Sequence, residues 1–569
     1  MRLLGKDSDV DCKGDESSQP SSSFLQPTSS LKSAEAAGDC AVLFAATLLP
    51  VVLNIRRLGL YADDLGNMGR FQSNHDTTIA DYFHRLYKLP GTRGRPAGDL
   101  YLAVLYRLFG VHHLGYQVVN VAVIFASVLL FYFSLRLVLR QRFVALTVPL
   151  IFVLLPNYSS ARLVPCTFMA ALSMAFFFLN LYALLKATSK ENLAMGWTCA
   201  SVVAILVSVL LYEILLPLFA LNLLVVWTLQ RRKPVGERLR VRSLALLFVT
   251  NAAALFAVVL FKMRTATRLH EVASLRYVVT QAVLVHFYKL GLRLPVVAAK
   301  VIFVYRDPML SLMALVFGVF VFYYFLRLQR SIGSAETSPS VALRLVAFGI
   351  LIFAFALTIF IATKGTTGFT ATGFENRTAI GASLGMAFIF SGVSIWLGGR
   401  VKVRGSFMVS LLIALLCSGE LLASSTIASY WAAAADRQEL VLNSIQQDIP
   451  TLSPNSVLLV DGVCPYIGPG IVFEGHQDMG GAVQMLYRDP SLSGDVVNSR
   501  LLVHDYGIET SIYGRYRFYT YGHVKVYDFR RRKVWDLGDF SAALDYFGRM
   551  GPAHSFCPEG SEGEGVPIF

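Results

Sequence analysis

The sequence predicts a polytopic α-helical membrane protein of about eleven transmembrane helices, carrying a separate extracytoplasmic α/β or α+β domain at its C-terminus. Three observations carry the prediction. Charged residues make up only 15% of the chain and hydrophobic residues 55%, whereas an ordinary soluble domain is about 25% charged. The apolar residues fall in repeated runs of roughly 16 to 24, the length a helix needs to cross about 30 Å of hydrocarbon. From Asn443 onward the pattern changes to alternating and β-branched stretches.

Residues 1–38 are Ser-rich and polar with mixed charges and contain no secretory signal, so they read as a disordered cytosolic tail. The first apolar run is then an uncleaved anchor. Expected spans cover residues 40–55, 116–139, 144–156, 163–185, 194–211, 214–229, 244–261, 309–326, 345–362, 378–397 and 407–423. Short loops rich in Arg and Lys, such as Arg136, Arg140 and Arg142, or Arg231, Arg232 and Lys233, all fall on one side, which marks that side as the cytosol. An odd number of spans then places the C-terminal domain outside.

The membrane domain is expected over residues 39–429, with long outer loops at 56–115 and 262–308, and the soluble domain over 430–569. In the first loop Ile79, Tyr82, Phe83, Leu86 and Tyr87 have helical spacing, and in the second Val278, Val279, Ala282, Val283, Val285 and Phe287 do. These read as helices on the membrane surface or packed on the bundle rim. In the C-terminal domain, strands are expected at 456–460 and 500–503, a hairpin turning near 521–523, and a helix over 540–550.

A net charge of +14 invites nucleic acid as a partner, but the positive residues cluster at the ends of apolar runs, where topology accounts for them. The seven cysteines show no metal-ligand spacing. Cys464 and Cys557 share the C-terminal domain, where a disulfide and two free thiols are both open.

The chemistry-bearing residues concentrate outside. Asp63 and Asp64 sit just past the first span, and adjacent carboxylates repel, so they want water, a cation or a donor. They suit a general base with an orienting neighbour, or a solvated helix cap. Arg56, Arg57, Arg93, Arg95, Lys262, Arg264, Arg268 and Arg276 form a cationic excess where positive charge is disfavoured. Such residues hold a lipid-linked phosphate or snorkel to headgroups. Glu213, the pair His270-Glu271, and Arg377 in Glu375-Asn376-Arg377 complete the substrate-binding candidates; caps and solvated loops are the plainer readings.

With these residues in view, the sequence resembles the C-type membrane glycosyltransferases, including protein mannosyltransferases and aminoarabinose transferases. The carriers are Asp63-Asp64, Gly94-Arg95-Pro96 leading to Leu105-Tyr106-Arg107-Leu108-Phe109-Gly110, Leu155-Pro156-Asn157, Leu211-Tyr212-Glu213 and Asn376-Arg377. The resemblance implies a sugar donor on a polyprenyl phosphate, a glycan, lipid or protein acceptor, and catalysis by the first acid of an acidic motif, here Asp63. That motif often continues with Glu, so Asp64 leaves the choice between the two open. The resemblance ends near Ser429. Attack opposite the phosphate predicts inversion, and a phosphate leaves without the second acid that a glycosidase needs.

No cofactor is specified, and a divalent metal stays open. Membrane lipids are expected partners and nucleic acid is not; the setting reads as a bacterial inner (plasma) membrane. A transporter or flippase of a lipid-linked glycan, or a non-catalytic assembly protein, are the alternative functions. No internal symmetry of the kind transporters use is evident.

Overall fold

Inside lipid a backbone N–H or C=O finds no water, so apolar runs close their hydrogen bonds within helices. The computed structural model describes residues 33–73, 78–89, 94–139, 141–189, 192–234, 238–265, 275–300, 302–303, 307–330, 339–362, 373–401, 405–498, 500–512 and 515–550. Helix α1 (Ser33–Val52) leads into a long loop holding α2 (Asp63–Ser73), α3 (Ile79–Lys88) and α4 (Pro96–Phe109). Then come α5 (His113–Val138) and α6 (Arg142–Leu154), followed by the turn α7 (Ser160–Leu163) and by α8 (Phe168–Ala187). Next are α9 (Met195–Leu211), α10 (Leu218–Arg232) and α11 (Val241–Thr265). The second long loop holds α12 (Leu275–Ala282), a π-helical stretch Val283–Leu292 and α13 (Leu294–Lys300). The bundle closes with α14 (Pro308–Arg330), α15 (Pro339–Ala362), α16 (Ile380–Gly399) and α17 (Gly405–Asp448).

Each expected span holds a helix, and among the described residues eight helices are long and apolar enough to cross a membrane. The others are α6, with 13 residues, α9, with 17, and α10, with 15. Helix α6 is wrapped by protein: every residue from Phe143 to Leu154 is buried. Helices α15 and α16 approach through glycine, since a Cβ on Gly385 would stand 2.6 Å from the Gly349 carbonyl. Helix α3 packs on protein, burying Tyr82 and Leu86, with the Tyr82 ring 4.1 Å from that of Phe71 in α2. Thr78 and Asp81 cap it reciprocally.

Helix α17 has 44 residues, about 66 Å at 1.5 Å per residue, roughly twice a hydrocarbon core. It continues through position 430, where the sequence places the start of the C-terminal domain. Beyond it lie β1 (Val457–Asp461), β2 (Tyr466–Ile467), β3 (Gly470–Ile471), α18 (His476–Tyr487), β4 (Ser493–Val496), β5 (Leu502–His504), β6 (Gly507–Ile512), β7 (Arg515–Thr520), β8 (Val524–Asp528), β9 (Lys533–Leu537) and α19 (Phe540–Met550). One sheet has the order β4-β1-β8-β9, with β1 parallel to both β4 and β8. Another is the antiparallel set β5-β6-β7. The hairpin expected near 521–523 does not form. Strand β7 pairs with β6, while β8 crosses into the other sheet beside β1, so residues 521–523 link two sheets.

The domain is fixed to α17 at several points. Gln438 Nε2 donates to the Val472 carbonyl at 2.8 Å, Tyr527 donates its hydroxyl to Asp448 at 2.7 Å, and Arg532 pairs with Asp448 at 2.8 Å. A second attachment joins α18 to α2.

Candidate active site

The acidic pair opens α2, where unpaired backbone N–H groups and the helix dipole favour negative charge. Ala62, just before it, holds a left-handed φ of 46°, which turns the chain sharply from the extended segment into the helix. Tyr61 anchors that turn. Its hydroxyl donates to the Trp431 carbonyl of α17 at 2.8 Å, and its ring meets the Trp431 ring edge-on at 4.7 Å.

The two carboxylates have different surroundings. Asp64 is fully buried and accepts from the Tyr106 hydroxyl of α4 at 2.6 Å, from the Tyr61 N–H at 3.4 Å and from the Cys166 backbone. Burial pushes its carboxyl up to about 7, against the opposing hydrogen bonds from Tyr106 and Tyr61. Asp63 is exposed and accepts from Gln477 Nε2 of α18 at 2.7 Å.

A second cluster assembles around Tyr212 and Glu213, in the turn between α9 and α10. Arg95, the residue before α4, grips Glu213 through Nε at 3.1 Å and Nη2 at 2.5 Å, a bidentate pair. Lys262 of α11 reaches the same carboxylate at 2.8 Å. Burial alone would raise the Glu213 carboxyl, but Arg95 and Lys262 hold it well below the usual carboxylate range. The Arg95 guanidinium stacks on the Tyr212 ring at 4.3 Å, and Arg377 Nε donates to the Tyr212 hydroxyl at 3.2 Å. Arg377 also pairs with Glu375 at 3.2 Å. Asp99, buried in the first turn of α4, lies within charge reach of Arg95 and Lys262.

Asn376 fixes the segment that carries Arg377. Its Oδ1 accepts from the Ser160 N–H at 2.9 Å and hydroxyl at 2.6 Å, and its Nδ2 donates to Ser159 at 2.7 Å. Cys166 joins the two clusters, since it bonds Asp64 through its backbone and lies within charge reach of Asp63, Asp64 and Arg377.

Thus Asp63 and Asp64 form one group and Arg95, Glu213, Lys262 and Arg377 a second, with Cys166 within charge reach of both acids and of Arg377. Arg57 instead forms an exposed ion pair with Asp436 of α17. The Arg56 side chain is exposed, while its carbonyl accepts from His113 Nε2 at 2.9 Å. Arg264 is exposed at the end of α11. Arg93, Arg268 and His270 lie outside the described residues. Sequence reasoning passed over Tyr106 as a donor to the acid, and Gln477 altogether. It also passed over Glu420, buried in α17 within charge reach of Arg162. Among the described residues no group of three or more His, Cys, Asp or Glu could hold a metal ion.

Fold and site together define a polytopic helical membrane protein with an acidic pair and a cationic cluster, linked through Cys166, and a sheet-containing C-terminal domain. Among solved structures, the chain is similar to ArnT from Cupriavidus metallidurans bound to undecaprenyl phosphate, at 14% identity and a TM-score of 0.35 over 81% of this chain and 86% of that one. It is similar to the mycobacterial arabinofuranosyltransferase AftD at 15% identity and a TM-score of 0.40, over 83% of this chain and 32% of that one. A third likeness is to the oligosaccharyltransferase AglB from Archaeoglobus fulgidus in complex with an inhibitory peptide and a dolichol-phosphate, at 12% identity and a TM-score of 0.35 over 80% and 64% of the two chains. No protein-family model matches the chain, and no curated protein matches it in sequence.

Proposed function

We propose that this protein is a glycosyltransferase that moves a sugar from a polyprenyl-phosphate carrier to a glycan, lipid or protein acceptor at the outer membrane face, with inversion. The observation that carries the reading is an acidic pair at a helix N-terminus and a cluster of Arg95, Lys262 and Arg377, linked through Cys166, which lies within charge reach of both acids and of Arg377. An acceptor hydroxyl or amine attacks the anomeric carbon and loses its proton to a carboxylate, while the bond from that carbon to the phosphate oxygen breaks. The phosphate departs with both electrons and is stabilised by the cations.

Asp63 is the proposed base because it is the exposed acid, and Asp64 is its buried neighbour. Glu213 holds Arg95 and Lys262 in place before the donor arrives. It engages two of the three Arg95 nitrogens and one contact of the Lys262 ammonium, so both cations keep donors for a phosphate. The acidic pair and the C-terminal domain are proposed to face out of the cytosol. Two features support that side: the basic ends of α5, α6 and α10 lie at the other end of the bundle, and Cys464 is disulfide-bonded, while Cys557 lies outside the described residues.

The test is transfer from a panel of radiolabelled polyprenyl-phosphate sugars by the purified protein, with and without chelator. Release of the carrier phosphate with at least one sugar is the expected result. A protein that binds or translocates these lipids while cleaving none of them is not a transferase.

A further inference from the structure

Five helices, α5, α8, α10, α15 and α16, leave a cavity of about 310 Å³ between them whose lining includes neither acid of the pair. Its wall is apolar except for Asn222, Thr228, Arg232 and Arg344. The first two bond within the bundle: Asn222 Nδ2 donates to Asn180 Oδ1 at 3.0 Å and the Thr228 hydroxyl to the Val225 carbonyl at 2.8 Å. The arginines stand at one end, Arg232 closing α10 and Arg344 in the second turn of α15, and both are exposed. Leu218 at the deep end lies fourteen residues from Arg232 along α10, about 21 Å at 1.5 Å per residue, or some two thirds of a hydrocarbon core.

The level of the arginines follows from their neighbours. Arg231 stacks on Trp227 at 3.8 Å and Arg400 on Trp396 at 4.4 Å, and Trp with Arg beside it is how helices anchor at the headgroup layer. The arginine end of the cavity therefore sits at the headgroup level of one leaflet, and its apolar lining extends toward the other. Well-packed protein interiors leave few voids larger than a water. An apolar slot of this size excludes water, and its mouth carries two guanidinium groups suited to a phosphodiester.

We infer that this cavity binds one anionic glycerophospholipid, with an acyl chain in the slot and its phosphate between Arg232 and Arg344. The site lies at the opposite membrane face from the cluster proposed to hold the donor phosphate. A carrier bound for reaction would place its phosphate at that other end; the choice of a phospholipid over the carrier rests on that reading, and the cavity itself does not.

The full-length protein is purified, stripped by detergent exchange and offered phosphatidylglycerol, phosphatidylcholine or polyprenyl phosphate at equal concentration, and retained lipid is counted per chain by native mass spectrometry. One retained phosphatidylglycerol is expected, preferred over phosphatidylcholine. Replacing Arg232 and Arg344 together by Gln weakens its retention roughly 30-fold, at about one Arg-worth of headgroup attraction each. Both arginines are exposed, and the double variant is expected to keep the melting temperature of the unchanged protein, measured alongside. Leu221→Trp, which fills the slot from α10, abolishes retention with the arginines intact. Equal retention of phosphatidylglycerol and phosphatidylcholine, preferential capture of polyprenyl phosphate, or undiminished retention by the double variant would each overturn the assignment. None of these outcomes depends on sugar transfer, so the inference and the proposed activity fail separately.

Discussion

Asp63 and Asp64 are adjacent in sequence and opposite in surroundings, and that difference sets what each does to the protein. Asp63 is held by Gln477 from another domain, so Gln477 is a positioning residue for the proposed base. Asp63→Asn is expected to lower kcat by roughly 10² to 10⁴ without loss of fold. Gln477→Ala lowers kcat by a smaller factor with little change in donor KM, and Gln477→Glu, which sets a like charge against Asp63, shifts the pH profile upward. Asp64 is expected to act on stability. Its carboxyl moves from an ordinary 3.8 to about 7 in the folded protein, so the native state holds a proton that the unfolded state has released. Its contribution is fully present below about pH 4 and is lost as pH rises to about 7, at up to about 1.4 kcal/mol per pH unit. Asp478 of α18, raised to about 7 by burial and by Glu474, acts in the same direction. The melting temperature in detergent should therefore fall between pH 4 and 7, and Asp64→Asn should flatten the fall; an identical slope in the variant removes Asp64 as its source.

At the scale of elements, the joint that brings Gln477 to Asp63 is made of glycine. A Cβ on Gly69 of α2 would lie 2.5 Å from the Gly481 carbonyl, and one on Gly481 of α18 would lie 2.3 Å from the Leu65 carbonyl. The two helix backbones therefore touch, and any side chain at these positions pushes them apart. Gly69→Val is expected to cost about 1 to 3 kcal/mol by overpacking and to remove turnover by moving Gln477 off the acid, as read by melting temperature and activity together. The helices themselves were legible from the sequence because a lipid-facing helix shows its length and periodicity locally. The acidic pair stood out too, since two adjacent carboxylates repel and want water, a cation or a donor, which a solvated cap supplies as well as a catalytic site does. The Glu213 cluster was visible only as separate residues, because Arg95 lies 118 positions away. Gln477 lay 414 positions from its partner, on a helix that reads as an ordinary soluble element. The misplaced hairpin has the same origin: β8 is claimed by β1 across the sheet, and parallel pairing leaves no signal in the turn beside it.

At the scale of the whole molecule, α17 acts as a mast. Roughly half its length exceeds what a hydrocarbon core needs, and that excess carries the C-terminal domain to the level of α2, where α18 packs against α2 and Gln477 reaches Asp63. Since α17 and α2 both grip the domain, sidedness is a property of the whole chain: if one end of the bundle faces out of the cytosol, the acids, Gln477 and the Cys464 disulfide all face out with it. Membrane-impermeant thiol labelling of intact cells tests this, using Tyr506→Cys at an exposed site in the C-terminal domain and Arg238→Cys in the loop between α10 and α11, each with Cys199 replaced by Ser. Tyr506→Cys should react in intact cells and Arg238→Cys only after lysis. The reverse pattern would put the acids in the cytosol, where a disulfide at Cys464 would be reduced and a donor presented on the outer leaflet could not reach Asp63.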